Sequence, residues 1–135
     1  MNEKNFKDFQ LIVAEKVKLS PDDIDKKTLD LSNLYHTISD KYVQELKILK
    51  KMLLDRDQLY GELYHKYKFG QDFHLDTKTE IDTYVRADKS YYDKALEYQQ
   101  QEIMVKYFEQ MLEVINKAGY AIKNYIDFTR LKNGQ

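Results

Sequence analysis

At 135 residues the chain is long enough for one domain with its own core and too short for two independent ones. A single proline, four glycines and a charged fraction of 33% favour long helices over sheets. Lys and Arg number 22 against 23 Asp and Glu, so the whole chain gives no electrostatic case for nucleic acid or a membrane surface, and any such case must be local. The absence of cysteine excludes a disulfide scaffold and a thiolate metal site, and suits a reducing interior. Met1–Gln10 carries Glu3, Lys4, Lys7 and Asp8 and does not read as a signal peptide. No apolar run approaches the roughly 18–20 residues needed to span a bilayer. The chain is expected to be all-α, without a membrane partner, and intracellular.

In chain order, apolar residues at Phe6, Phe9, Ile12, Val13 and Val17 predict a short amphipathic helix over Asn5–Lys18. Leu19-Ser20-Pro21 stops it, because proline disfavours helical geometry in the residue before it. Proline also suits a first helical turn, and Asp22, Asp23 and Asp25 favour a helix N-terminus, so a second helix starts between Pro21 and Thr28. Its apolar stripe runs through Leu31, Tyr35, Ile38, Tyr42, Leu46, Leu49, Leu53, Tyr60, Leu63 and Tyr67. Only Gly61 weakens the pattern before Gly70, at a cost of about 1 kcal/mol. A continuous helix from Thr28 to Lys68 would extend about 60 Å, against a radius of gyration of about 14 Å for a compact domain of this size. An elongated helical hairpin or bundle is expected, its exposed apolar stripe needing other copies. Phe69–Asp76 has no period and forms the turn. Thr77-Lys78-Thr79-Glu80 is a capping box that opens the next helix, Ile81, Tyr84 and Val85 follow at helical spacing, and Ala87-Asp88-Lys89-Ser90 either re-caps the chain or is passed through.

Tyr91–Lys132 reads as one long helix with two apolar seams. The first, Tyr107, Met111, Val114, Ala118, Ala121, Tyr125 and Phe128, alternates steps of four and three, the period of a helix packed along a partner. Beside it lie Phe108, Leu112, Ile115, Gly119, Ile122 and Ile126, which widen the apolar arc enough for two neighbours. Such a helix is either the core of a bundle or an assembly surface. Tyr107, Phe108, Met111, Leu112, Val114, Ile115, Ala118, Ile122, Tyr125 and Ile126 are the candidate oligomerisation residues, and Asn133-Gly134-Gln135 is a fraying end. Residues 1–135 thus read as a single helical domain: a short N-terminal helix over 1–20, a long basic helix over 21–69, and a long C-terminal region over 77–132.

Residues able to do chemistry are sparse. Glu62 and His65 form one Glu-x-x-His, but a di-iron bundle needs two of these and two further facing glutamates. Asp72, His74 and Asp76 could at most catch a cation weakly in a solvated loop. No nucleophile elbow, Walker or dinucleotide fingerprint occurs. Neither a metal, a cofactor nor an enzymatic activity is expected.

Local charge is more informative. From Lys41 to Lys68 there are seven basic residues against four acidic ones, whereas Ser20–Asp40 has two basic and five acidic. Within the basic stretch, Tyr64-His65-Lys66-Tyr67-Lys68-Phe69 interleaves rings with cations, as surfaces that stack single-stranded bases and neutralise phosphates do. Arg56 occupies a slot between Leu53 and Tyr60 on the apolar stripe, so it is either paired inside a bundle or presented to a ligand. The candidate nucleic-acid residues are Lys47, Lys50, Lys51, Arg56, Tyr64, Lys66, Tyr67 and Lys68. The plainer alternative is a solvated lysine face with the tyrosines closing the core.

From Lys41 onward the chain resembles the UvsY family, recombination mediators of T-even-type bacteriophages. The resemblance rests on the basic helix, the Tyr-rich turn ending near Phe69-Gly70, then Lys78-Thr79-Glu80-Ile81, Ala87-Asp88-Lys89, and Gly119-Tyr120-Ala121-Ile122-Lys123 followed by Ile126. It does not cover the first 40 residues. The resemblance implies a non-enzymatic protein that binds single-stranded DNA as a ring, a homo-hexamer or homo-heptamer. Such a protein helps load a RecA-like phage recombinase onto DNA coated by single-strand DNA-binding protein, in the host cytoplasm. Lys117, Lys123, Arg130 and Lys132 make the chain's end basic as well, for DNA or for the helix dipole. The alternative function is an oligomeric scaffold that contacts only other proteins through its C-terminal helix.

Overall fold

A computed structural model describes residues 2–70 and 75–134. The described residues form four α-helices and one 3₁₀ turn, without strands: α1 (Glu3–Lys16), the turn Pro21–Asp23, α2 (Ile24–Phe69), α3 (Lys78–Ala87) and α4 (Lys89–Lys132). Of the turn expected over Phe69–Asp76, residues 71–74 lie outside the described ones, and Phe69 is the last residue of α2.

The helix boundaries have local causes. Asn2 caps α1 by accepting a hydrogen bond from the Asn5 amide at 2.8 Å, and the helix closes with the Val17 amide on the Val13 carbonyl at 3.1 Å. Pro21 opens the 3₁₀ turn, and α2 then runs 46 residues without a break through Gly61. At the start of α3 the Thr77 hydroxyl accepts from the Glu80 amide at 3.2 Å, one half of the capping box legible in the sequence. Helices α3 and α4 meet at Asp88, where the backbone leaves the helical region with ψ at 129°. Its amide bonds back to the carbonyls of Tyr84 and Val85, while its carboxylate accepts from the Ser90 amide at 3.0 Å and the Ser90 hydroxyl at 2.5 Å. Asp88 therefore ends one helix and caps the next, so the chain re-caps at Ala87-Asp88-Lys89-Ser90.

Packing falls into two compact units. In the first, Met1–Glu45 with Met104–Gln135, Val13 of α1 and Leu31, Leu34 and Ile38 of α2 bury against Phe108, Met111, Ile115, Ala118 and Ile122 of α4. Phe6 and Phe9 set their rings edge-on to Phe108 at 5.7 and 6.0 Å. In the second, Leu46–Ile103, the core is Leu63 and Tyr67 of α2, Ile81 and Val85 of α3, and Tyr91 of α4.

This packing corrects part of the interface expected on the last helix. Phe108, Met111, Ile115, Ala118 and Ile122 are buried in the chain's own core, and Leu112 and Ile126 are half-buried against it. A 3.5-residue seam reports a partner helix without saying whose it is, and here α1 and α2 of the same chain supply it. Tyr107, Val114 and Tyr125 remain exposed.

Candidate nucleic-acid interface

The cationic face lies on α2 within the second unit. Lys47, Lys50 and Lys51 are exposed and stand at i, i+3 and i+4, so their ammonium groups share one side of the helix. Lys66 and Lys68 are exposed near the C-terminus of α2, where they also complement the negative end of the helix dipole. Their Nζ atoms lie 5.5 Å from the Tyr67 ring and 5.3 Å from the Phe69 ring.

The aromatic half of the interface differs from the sequence expectation. Tyr67 is only 8% exposed and donates its hydroxyl to the Asp88 carboxylate at 2.8 Å, a bond to an anion that raises its pKa. Tyr64 is half-buried against the same core, 6.1 Å from the Tyr60 ring. Both rings pack in the unit's own core, Tyr67 the more deeply. Phe69, 66% exposed, offers a stacking surface instead, with the His65 ring 5.0 Å away. The signal for it was helical phase: residues 60, 63, 64 and 67 share the apolar side of α2, which turns 65, 66, 68 and 69 outward.

Beside these residues is a polar cluster. Tyr60 donates to Asp82, and the bond to that anion pushes its phenol up to about 12. Asp82 also accepts from Arg86 Nε at 2.9 Å, and these two bonds, Tyr60's first, hold its carboxyl below the usual range. Arg56 sits with its guanidinium 4.5 Å from the centre of the Tyr98 ring and its Nη2 atom 3.6 Å from Asp57. Its Nε is buried without a hydrogen-bond partner among the described residues.

The character of this arrangement is cationic and aromatic. A model of the family described as "Recombination, repair and ssDNA binding protein UvsY" matches residues 18–135. The chain belongs to the UvsY family. It is thereby placed among recombination, repair and single-stranded-DNA-binding proteins. Crystal structures of the bacteriophage T4 recombination mediator protein UvsY share the fold. Lattice types IV and II both match with a TM-score of 0.80, at 19% and 18% identity, covering 93% and 98% of this chain and 97% and 98% of the T4 chain. Lattice type I matches with a TM-score of 0.77 at 19% identity, covering 93% and 98%. A search of curated protein sequences finds no match.

The UvsY-like segments occupy definite structural points. Ala87-Asp88-Lys89 is the junction of α3 and α4, and Gly119, Tyr120, Ile122 and Lys123 border a groove of about 390 Å3 against α2 in the first unit. Among the described residues no three His, Asp or Glu side chains converge on a metal-sized site; Asp72 and His74 lie outside those residues. No helix among them is long and apolar enough to cross a membrane.

Proposed function

We propose that this chain is a recombination mediator without catalytic activity, which binds single-stranded DNA as a ring of about six or seven copies. In that role it helps a RecA-like recombinase assemble on DNA coated by single-strand DNA-binding protein. Family membership across residues 18–135 is the observation that carries this reading. The T4 protein of the same fold, a recombination mediator, directs it to that step of recombination.

Exposed Lys47, Lys50, Lys51, Lys66 and Lys68, with Phe69, would follow the strand. The stripe of Tyr107, Val114, Tyr125 and Phe128 stays exposed after the chain's own core is filled, and would join neighbouring copies. One copy offers few phosphate contacts. Several copies on a flexible strand gain avidity without new contacts, provided their spacing permits it.

Sedimentation with and without poly(dT), at low and high salt, tests the proposal. A multi-subunit particle should carry the strand at low salt and release it at high salt, because neutralised phosphates free their counterions. A particle that ignores the strand at all salt concentrations would leave a protein scaffold in its place. Val114→Asp should separate the subunits while leaving helix content intact.

A further inference from the structure

We infer that a pocket in the second unit, walled by Arg56, Asp57, Tyr60, Arg86 and Tyr91, holds one phosphate of a nucleic-acid strand. This rests on the single-strand function proposed above. Three helices build the pocket: α2 supplies Arg56, Asp57 and Tyr60, α3 supplies Arg86, and α4 supplies Tyr91. Its volume is about 300 Å3, at the lower end of small-ligand sites and more than a phosphate alone fills.

Arg56 is the decisive residue. A guanidinium carries five donors in a fixed plane and cannot shed its charge. This one has a side chain only 25% exposed, and its Nε finds no acceptor among the described residues. Asp57 does not relieve that, because it is exposed and approaches Nη2. The Nε atom is closed off from solvent, so the terminal nitrogens are the donors that can meet an acceptor from outside the chain. The Tyr98 ring, 4.5 Å from the guanidinium carbon, holds the group in position.

Arg86 lines the same space from α3. Its bond to Asp82 runs through Nε and so does not consume its two terminal nitrogens. Asp57 beside Arg56 and Asp82 beside Arg86 offset part of the charge, and the terminal nitrogens of the two guanidinium groups match phosphate oxygens bidentately. Tyr60 and Tyr91, with ring centres 5.8 Å apart at 66°, close the inner wall of the pocket as part of the unit's own core. The chemistry recognised is a phosphate ester, whether from a strand or from a free nucleotide.

The test titrates the full chain into labelled oligo(dT) across a range of salt, comparing Arg86→Gln, Arg86→Lys and Arg56→Met with the unaltered protein. Circular dichroism checks that each variant is folded. Arg86→Gln should weaken binding roughly five- to tenfold, the loss of one charge-assisted contact. It should also lower the salt slope by about 0.7, the contribution of one phosphate on a single strand. Arg86→Lys should restore the slope and only part of the affinity. If thymidine monophosphate competes through the same residues, the source is a free nucleotide; if it does not, the source is the strand, and either result supports the site. Unchanged affinity and slope in a folded Arg86→Gln, with the unaltered protein binding normally, would overturn the pocket and leave the function standing. No binding by the unaltered protein at low salt would remove both. Should Arg56→Met fail to fold, the Arg86 variants decide.

Discussion

The unit of Met1–Glu45 with Met104–Gln135 closes around aliphatic and phenylalanine side chains, with Phe108 and Ile38 fully buried. The unit Leu46–Ile103 has a smaller core, in which Tyr60 and Tyr67 reach through it to aspartates. Burial of apolar area is indifferent to protonation, whereas a phenol bonded to a carboxylate depends on the proton staying on the phenol and off the acid. The unit that carries the exposed lysines is thus fastened by polar ties. The unit that carries the exposed apolar stripe of α4 is fastened chiefly by burial, with one exposed tie of the same kind, from Tyr42 to Glu109 at 2.9 Å.

Removing the largest buried ring should break the first unit. Phe108→Ala is expected to cost about 3–5 kcal/mol, read as a lower midpoint in denaturant. The second unit should answer to smaller chemical changes. Tyr67→Phe removes the bond to Asp88 at a cost of about 1–2 kcal/mol, without touching the lysine face.

The same ties set a pH dependence for the second unit. The carboxyls of Asp88, bonded first by Ser90 and then by Tyr67, and of Asp82 titrate below their ordinary value of 3.8. Their contribution is complete above that value and lost as pH falls through the lowered one. Tyr60 titrates at about 12 rather than 10.0, so its bond is complete below pH 10 and lost as pH approaches 12. Helix content followed at both extremes should show these limbs, and Tyr60→Phe with Tyr67→Phe should flatten them. The smallest stability effect is expected at the cationic face. Lys50→Ala and Lys51→Ala should each shift stability by no more than about 0.5 kcal/mol. Each should lower the salt slope of strand binding by about 0.7.

Local signals in the chain were easy to read. The stop at Leu19-Ser20-Pro21, the cap at Thr77 and the unbroken stripe through Gly61 depend on residues a few positions apart, and sequence order displays those directly. The partner of the α4 seam did not follow from order, because Ile115 and Ile122 show the same spacing whether they face α2 or another copy. Tyr67 was misread for a related reason. Its place beside Lys66 and Lys68 suggested a stacking ring, but helical phase turns it toward α3 and α4, and Asp88, 21 residues away, fixes its hydroxyl. Arg56 was recognisable as an oddity on an apolar stripe, yet its neighbours Tyr98 and Arg86 arrive from distant segments.

The polar ties also bear on the order in which the chain folds. Tyr60 and Asp82 are separated by 22 residues and Tyr67 and Asp88 by 21, whereas Tyr42 reaches Glu109 across 67. Closing the longer loop costs about 1 kcal/mol more in chain entropy, and nearby contacts form sooner. The lysine-bearing unit should therefore assemble early, before the longer-range contact of Tyr42 with Glu109 forms. Folding rates measured on Tyr67→Phe and Phe108→Ala should show it: the first change slows folding, and the second mainly speeds unfolding.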